Sequence, residues 1–196
     1  MKRSFKRSLA NEKDNYRKAF SKRDWIIASL TRDPQYQLWR YHKRMRIAGY
    51  YYEQFKSKCG ISRLGYAFLY FIAKLRRNTI GNKLSIDIRE QSFGEGLIIY
   101  HNNIIVNGWA KVGKNCKLHG NNVIGNNGLD RNAPLIGDNV DIGNGAIIIG
   151  NVQIANNITI GAGAVVTKSC MKEGETLVGV PAKPIRFTKI EADSYN

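Results

Sequence analysis

Residues 136–166 read IGDNVDIGNGAIIIGNVQIANNITIGAGAVV, and this stretch decides the fold. A large aliphatic residue recurs at every sixth position, and a small or β-branched residue follows each of the first five by four positions. The large set is Ile136, Ile142, Ile148, Ile154, Ile160 and Val166, and the companions are Val140, Ala146, Val152, Ile158 and Ala164. This period is neither that of an α-helix nor the alternation of an ordinary strand, and it is typical of a solenoid.

A flat side of about six residues cannot bury itself, so three sides should form one triangular coil, with coils stacked about 4.8 Å apart. The large aliphatics point inward, while the corners need backbone angles that Gly, Asn and Asp tolerate. The phase continues upstream through Val106, Val112 and Leu118, and residues 125–135 read as a loop between two sides. The sequence therefore predicts a mainly β protein built as a parallel β-helix.

The six-residue repeat is interrupted between Ile99 and Val106, which are seven residues apart. The coil therefore carries one extra residue, within the segment Tyr100-His101-Asn102-Asn103. A departure from an otherwise strict pattern marks a functional or strained site, and this one contains an imidazole and two amides. We expect the functional site at this break.

The excess of basic charge lies entirely in the N-terminal part. The formal net charge is +16, and residues 1–85 hold 21 Lys or Arg against 5 Asp or Glu, whereas the rest of the chain is balanced. Such a segment is either a solvated basic face or a site that attracts a polyanion, such as an anionic membrane or an acidic polysaccharide. Nucleic acid is not expected, because neither a groove-reading helix nor an aromatic RNA-binding platform is recognisable.

The cysteines and the N-terminus favour a cytoplasmic location. Peripheral contact of the protein with the inner face of the membrane is compatible with that location. Cys59, Cys116 and Cys170 are odd in number and lack paired spacing, which is typical of free thiols in a reducing compartment. The start of the chain has no apolar signal segment, and the longest apolar run, residues 64–73, is too short to span a bilayer. No cluster has metal-ligand spacing, so no metal is expected.

Two signals predict where helices start in the N-terminal part. Asp24 is a candidate cap for a short helix beginning at Trp25, and Asp33-Pro34 combines a cap residue with proline at the first helical position. Apolar and basic residues then alternate as in an amphipathic helix up to about Lys58.

The rest of this part divides into two predicted segments. Gly60 is expected to end the amphipathic helix, and residues 61–77 to form a further helix. Residues 1–20 are expected to be poorly ordered, and His42 to be part of the basic helix. The helices are expected to pack on the end of the β-helix, where they would cover exposed strand edges, with membrane contact as an additional role.

The chain is thus predicted to have three parts. Residues 1–83 form a basic α-helical extension, residues 84–187 form the β-helix, and residues 188–196 form a C-terminal tail.

Several segments of the second half carry a family resemblance. They are Phe93-Gly94-Glu95-Gly96-Leu97, His101, Ile104-Ile105-Val106-Asn107, Ala110-Lys111-Val112-Gly113-Lys114-Asn115-Cys116, Ala133-Pro134-Leu135-Ile136-Gly137-Asp138-Asn139-Val140, Ile160-Gly161-Ala162-Gly163-Ala164-Val165-Val166 and Gly179-Val180-Pro181-Ala182-Lys183-Pro184-Ile185. Together they resemble the hexapeptide-repeat acyltransferases, and most closely the serine acetyltransferase-like branch, which includes enzymes that acetylate bacterial surface polysaccharides. The resemblance implies a left-handed β-helix, assembly as a homotrimer, and acetyl-CoA as the co-substrate.

His101 matches the catalytic histidine of this family. An imidazole that is neutral near pH 7 can take the proton of a hydroxyl while the oxygen attacks a thioester. In serine acetyltransferases an aspartate directly precedes this histidine, whereas here that position is Tyr100. Asp87, which matches a second aspartate of the family, and Asn107 are the candidates for orienting the imidazole.

The acceptor side departs from the serine enzymes. They carry Asp-Arg-His-Pro in the extended loop, whereas this chain reads Asp130-Arg131-Asn132-Ala133-Pro134. Arg131 could hold a carboxylate, and Asn132 replaces the histidine. Trp109 is a candidate for lining the cleft between subunits, and His119, expected on an outer corner, is a candidate on the acceptor side; both have a structural alternative.

The resemblance also suggests where coenzyme A lies. In this family it occupies a groove between neighbouring β-helices, where small residues let the pantetheine approach the backbone. The matching small residues are Gly145, Ala146, Ala162 and Gly163, and Lys168 and Lys183 are the candidates for meeting its phosphates.

Three functions follow as hypotheses. The first is acetyl transfer from acetyl-CoA to a hydroxyl of a bacterial surface or capsular polysaccharide, or of its sugar precursor, because the serine-specific residues are altered. The second is serine O-acetylation for cysteine biosynthesis. The third is a trimeric scaffold without activity, whose basic arm binds a membrane or another polyanion.

Overall fold

The computed structural model describes residues 1–20, 25–129 and 131–185. Over these residues the helices are α1 (Arg3–Ala19), α2 (Trp25–Leu30), α3 (Pro34–Ser57) and α4 (Gly60–Leu84). The strands are β1 (Ile86–Asp87), β2 (Ile98–Ile99), β3 (Ile104–Val106), β4 (Lys111–Val112), β5 (Lys117–Leu118), β6 (Val123–Gly125), β7 (Leu135–Ile136), β8 (Asp141–Ile142), β9 (Ile147–Ile149), β10 (Gln153–Ile154), β11 (Thr159–Ile160), β12 (Val165–Val166), β13 (Thr176–Val178) and β14 (Lys183–Ile185). The predicted C-terminal tail lies outside the described residues.

The helix starts follow the local signals. Asp33 caps α3, because its carboxylate accepts hydrogen bonds from the backbone N–H groups of Gln35 and Tyr36 at 2.9 and 3.4 Å. Helix α2 begins at Trp25 as predicted, although its expected cap, Asp24, lies outside the described residues. No helix in the described part of the chain is long and apolar enough to cross a bilayer.

Two predictions for the helical part were wrong. Residues 1–20 are not poorly ordered: α1 occupies most of them, and its Tyr16 is completely buried. Gly60 does not simply end α3 but begins α4, with a positive φ of 57°, and α4 continues past Arg77 to Leu84. A buried face provides the stability that the polar sequence of α1 does not suggest.

The strands form the three faces of a parallel β-helix. One face is a five-stranded sheet in the order β1-β3-β6-β9-β12, the second is β4-β7-β10, and the third is β2-β5-β8-β11-β13-β14. Each strand pairs in parallel with the strand one coil away, as Val106 does with Ile124. The exception among the described strands is the antiparallel pair β13–β14 at the C-terminal end. The solenoid prediction is therefore confirmed.

The interior is the ladder that the period predicts. All of the recurring large aliphatics and their companions are buried, and Ile142, Ile148, Ile158 and Ile160 have no exposed surface. At roughly 25 cal/mol for each Å² of apolar surface removed from water, this ladder is the main stabilising contribution to the β-helix.

The corners use side-chain amides as well as glycines. Asn139 and Asn157 have positive φ, and Asn139 donates its side-chain N–H to the side-chain oxygen of Asn157 at 3.0 Å. At the corner of Asn144, the positive φ belongs instead to Gly145. Successive corners are thus joined along the axis of the β-helix.

The helical part is attached to the first coil by buried polar contacts. The backbone N–H of Ile99 donates to the hydroxyl of Tyr16 at 3.0 Å, and Nη1 of Arg46 donates to the carbonyl of Phe93 at 2.8 Å. Helices α1 and α3 therefore cover the N-terminal end of the β-helix, where unpaired strand edges would otherwise be exposed.

Glu12 is the centre of this attachment. Its buried carboxylate accepts hydrogen bonds from Arg46 at 2.8 Å, from the backbone N–H of Gly96 at 2.9 Å, and from Nε2 of His42 at 2.9 Å. Burial alone would raise the pKa of Glu12, but the hydrogen bond from His42, the charge of Arg46 and the Gly96 N–H together lower it to about 2.

His42 is part of α3, as predicted, but it faces the interior and not the solvent. It has no exposed surface, and its ring stacks on Trp39 with the centroids 5.7 Å apart. Burial lowers its pKa, outweighing the hydrogen bond to Glu12, so His42 is neutral at pH 7 and Arg46 supplies the charge that balances Glu12. The residue pattern of α3 alone does not predict the burial of His42, because its partner, Glu12, comes from α1.

We predict that Glu12→Gln lowers the free energy of unfolding by about 3 kcal/mol at pH 7, since it leaves the partly buried Arg46 without its counter-charge. The folded-state pKa of Glu12 is depressed from 4.5 to about 2, so its contribution is fully present above about pH 4.5 and is lost as the pH falls towards 2. Urea unfolding at several pH values measures both effects.

Asp14→Asn, on the same helix, is the matched control. Asp14 forms an exposed pair with Arg17 at 3.9 Å, which should contribute less than about 0.5 kcal/mol. Equal losses in the two variants, or a Glu12→Gln deficit that persists at pH 2, would show that the buried carboxylate does not anchor the helices.

Candidate active site

His101 lies on the turn between β2 and β3, and its side chain is exposed. Gly120 occupies the same corner in the next coil, with a φ of 101°. A Cβ on Gly120 would lie 2.6 Å from Cβ of His101, so only glycine leaves room for the histidine there. The extra residue of this coil thus presents an imidazole at the surface of the β-helix and not in its interior.

A cleft of about 390 Å³ opens beside His101. It is lined by Tyr100, His101 and Asn102 from the β-helix, by Leu84 at the end of α4, and by Asp33, Pro34, Gln35 and Leu38 from the start of α3. The capped N-terminus of α3 therefore forms one wall of the candidate site. The sequence identified this cap but contained no signal that it lies next to His101.

A second imidazole is part of a small polar cluster next to this cleft. His119 stacks on the ring of Tyr100, with centroids 4.7 Å apart and an interplanar angle of 18°. Its Nε2 lies 2.7 Å from Oδ1 of Asp141, and Nζ of Lys117 lies 3.3 Å from the other carboxylate oxygen. This arrangement fixes the ring of His119, and it links Tyr100, which replaces the aspartate of the serine enzymes, to a carboxylate.

Asp141 was missed by the sequence analysis. It follows Val140 within a regular hexad, so the pattern marks it as an ordinary outward-facing position. Leu118 and Ile142 pair between neighbouring coils, and this register places Asp141 next to His119. The register of the hexads was the signal in the sequence that could have identified Asp141.

The two residues predicted to orient His101 form no hydrogen bond with it among the described residues of the single chain. The side-chain oxygen of Asn107 accepts a hydrogen bond from the backbone N–H of Trp109 at 2.9 Å, which is the local turn structure expected for a corner asparagine. Asp87 pairs with Ile105 through the backbone of β1 and is exposed. Neither donates to or accepts from His101 among the described contacts.

Two of the predicted acceptor residues do come together. The guanidinium carbon of Arg131 lies 5.7 Å from the centroid of the Trp109 ring, as in a cation–π contact. Trp109 is 52% exposed and Asn132 is exposed, so this surface is open in the single chain. It is formed by loop residues 126–129 and 131–134 and by the turn before β4.

The small residues assigned to coenzyme A separate into two groups. Ala146 has no exposed surface and faces the interior ladder, so it cannot contact a ligand and its assignment was wrong. Ala162 and Gly163 are exposed, and no atom lies within 4 Å of the position that a Cβ on Gly163 would occupy. Gly145 lies at the same corner one coil earlier, where the backbone N–H of Gly163 donates to the carbonyl of Asn144.

This corner fits an extended ligand, because the backbone is accessible and no side chain projects over it. Lys168 and Lys183 are exposed in the C-terminal coils. Among the described residues, no group of three or more His, Cys, Asp or Glu side chains could hold a metal ion.

Solved structures that resemble this chain are serine acetyltransferases. The soybean apoenzyme is 27% identical, with a TM-score of 0.62, and the match covers 76% of this chain and 58% of that one. The enzyme of Brucella abortus strain S19 is 25% identical, with a TM-score of 0.68 and coverage of 92% and 68%. A serine acetyltransferase in complex with CoA is 25% identical, with a TM-score of 0.59 and coverage of 82% and 66%. No protein-family model and no curated protein sequence matches.

The chain has the hexapeptide-repeat fold of the serine acetyltransferases. Its parallel β-helix is the left-handed one that the resemblance implies, preceded by an α-helical region. The chain spans 58% of the length of the soybean enzyme.

We predict that Gly120→Ala displaces His101 and destabilises the protein, because the new Cβ would overlap that of His101. The expected loss is about 1–3 kcal/mol for overpacking, in addition to the strain of a positive φ. Imidazole signals in nuclear magnetic resonance spectra report the displacement, and urea unfolding reports the loss.

Gly128→Ala is the control, because Gly128 also has a positive φ but no atom lies within 4 Å of its added Cβ. It should cost only backbone strain and leave the His101 signals unchanged. A Gly120→Ala protein with unshifted His101 signals would contradict the corner packing described above.

Proposed function

We propose that this protein is an acetyl-CoA-dependent O-acetyltransferase in which His101 is the general base. One observation carries the proposal: an exposed imidazole stands at the seven-residue step of the β-helix, beside an open cleft, in a chain with the serine acetyltransferase fold. A scaffold without activity would have no need for a corner glycine that makes room for a histidine.

The reaction needs one residue that can accept and return a proton. His101 takes the proton of the acceptor hydroxyl as its oxygen attacks the thioester carbonyl carbon. The C–S bond then breaks, and the imidazolium gives the proton to the departing thiolate of coenzyme A. A covalent enzyme intermediate is not required, and Cys116 is unsuited to form one, because burial and, to a smaller extent, the charge of Asp141 raise the pKa of its thiol.

We propose that coenzyme A lies along the corner of Gly145, Ala162 and Gly163, with Lys168 and Lys183 near its phosphates. The exposed backbone at this corner and the similarity to a CoA complex support this position. A homotrimer would complete the groove by placing a neighbouring β-helix against the corner.

Two candidates for the acceptor have specific support. L-Serine is favoured by the comparisons, because the structures similar to this chain are serine acetyltransferases, and Arg131 could hold its carboxylate. A saccharide hydroxyl is favoured by Tyr100 and Asn132, which replace two serine-specific residues, and by the stacked pair of Tyr100 and His119, whose aromatic surface suits a sugar ring.

We place this activity in the cytoplasm, at the inner face of the membrane. The three cysteines are free, as in a reducing compartment, and the basic extension would attract an anionic surface. Fractionation of cells that express the full chain would test this location.

We predict that His101→Gln lowers kcat by about 10²–10⁴, because the amide cannot act as a base. Thiol release from acetyl-CoA, measured with L-serine and with a panel of mono- and oligosaccharides, identifies the acceptor. The affinity for coenzyme A should change much less than kcat, since His101 is proposed to transfer the proton and not to hold the coenzyme.

A lysine on the β-helix surface provides the control. Lys114→Gln changes an exposed residue away from the cleft and should keep full activity. Near-normal turnover by His101→Gln would exclude the proposed base, and failure of the unaltered protein to bind coenzyme A would leave only the scaffold.

A further inference from the structure

A groove of about 460 Å³ between α3 and α4 combines a basic wall with an apolar floor. Arg40, Lys43 and Arg44 line it from α3, and Arg76 from α4. The floor includes Trp39, Ile47, Leu69 and Ile72. This groove is separate from the cleft at His101, with which it shares no lining residue.

The cations of this groove have no acidic partner among the described residues. Within the described part of the chain, no carboxylate forms an ion pair with Arg40, Lys43, Arg44 or Arg76. Nη1 of Arg44 donates instead to the backbone carbonyl of Arg76 at 2.8 Å, and Nη1 of Arg40 donates to Gln37 at 2.9 Å. Burial, together with the neighbouring charges of Arg40 and Arg76, lowers the pKa of Arg44. Like charges held this close favour a bound anion.

An apolar stripe lies on the exposed side of α4. Ile61, Leu64, Phe68, Phe71 and Leu75 follow the spacing of one helical face, and they are 48–89% exposed. Leu69, which is 41% exposed, also lines the groove, so the stripe and the groove form a continuous surface. Residues 54–86 contain seven Lys or Arg and no Asp or Glu.

We propose that this surface docks on an anionic lipid bilayer, with a lipid phosphate in the groove of Arg40, Arg44 and Arg76 and the stripe of α4 in the interfacial layer. Phosphate oxygens suit the clustered guanidinium groups, and the acyl region suits the exposed Leu and Phe side chains. A second copy of the chain is disfavoured as the occupant, because two such basic faces would repel each other.

This proposal does not rest on acetyl transfer, and its test uses the full chain without acetyl-CoA. The protein is sedimented with vesicles of phosphatidylcholine alone and with vesicles that contain phosphatidylglycerol. It should bind only the anionic vesicles. Since each cation at such a surface contributes about fivefold in binding, Arg40→Gln/Arg44→Gln/Arg76→Gln should weaken binding by at least tenfold.

Two matched controls separate the groove and the stripe from general effects. Arg7→Gln/Lys18→Gln/Lys114→Gln removes the same charge from exposed side chains outside the groove and should weaken binding by less than about threefold. Phe68→Ser/Phe71→Ser should reduce binding severalfold, whereas Leu129→Ser/Met171→Ser, which removes exposed apolar side chains elsewhere, should not. The stripe variants keep the test decisive if the arginine variant folds poorly.

Three results would overturn the proposal. The first is equal vesicle binding by the groove variant and its charge-matched control. The second is stabilisation by free pyrophosphate, measured as a shift in Tm, without any binding to anionic vesicles, which would indicate a soluble anion as the ligand. The third is a change in molecular mass by light scattering for Phe68→Ser/Phe71→Ser with no change in vesicle binding, which would indicate a second copy as the occupant.

Discussion

The backbone hydrogen bonds of the β-helix join each coil to the next, so residues at the same corner of successive coils must stack on one another. The backbone N–H of Gly145 donates to the carbonyl of Gly120, and Gly120 lies against His101. A side chain can leave this line only if its neighbours along the corner are small or if the coil gains a residue. Both conditions are met at His101. The imidazole therefore lies outside the β-helix, in a position that the corner defines.

The helical extension changes what this imidazole can face. Glu12 binds α1 to Arg46 of α3 and to Gly96 of the first coil, and these contacts hold the start of α3 in front of the turn that carries His101. The wall of the cleft is thus a helix N-terminus whose N–H groups Asp33 already satisfies. A carboxylate acceptor would gain little from this wall and would depend on Arg131, whereas a neutral hydroxyl compound needs no such charge.

The sequence predicted the features that repeat, and it failed where contacts join distant segments. The hexads predicted the parallel strands and the buried ladder, and Asp33-Pro34 predicted the start of α3, because each signal is local. Nothing local marks the burial of His42, which depends on Glu12 of another helix, or the pairing of His119 with Asp141 across a coil. The assignment of Ala146 to coenzyme A binding was wrong for another reason. Its position in the hexad predicts that it faces the interior, but the match to the family was given more weight.

The separation of charge along the chain connects the two proposals. The β-helix is balanced and the helical extension carries the whole excess of +16, so an anionic surface would orient the molecule by its extension and leave the β-helix free.

Helix α3 contributes Pro34 and Gln35 to the cleft and Arg40 and Arg44 to the groove. At the helical rise these positions are about 8–15 Å apart along the axis. An acceptor attached to a lipid phosphate in the groove would have to extend over a distance of about two or three sugar rings to reach His101. A soluble amino acid would gain nothing from such an arrangement, so membrane binding through the groove would favour a lipid-linked saccharide over serine.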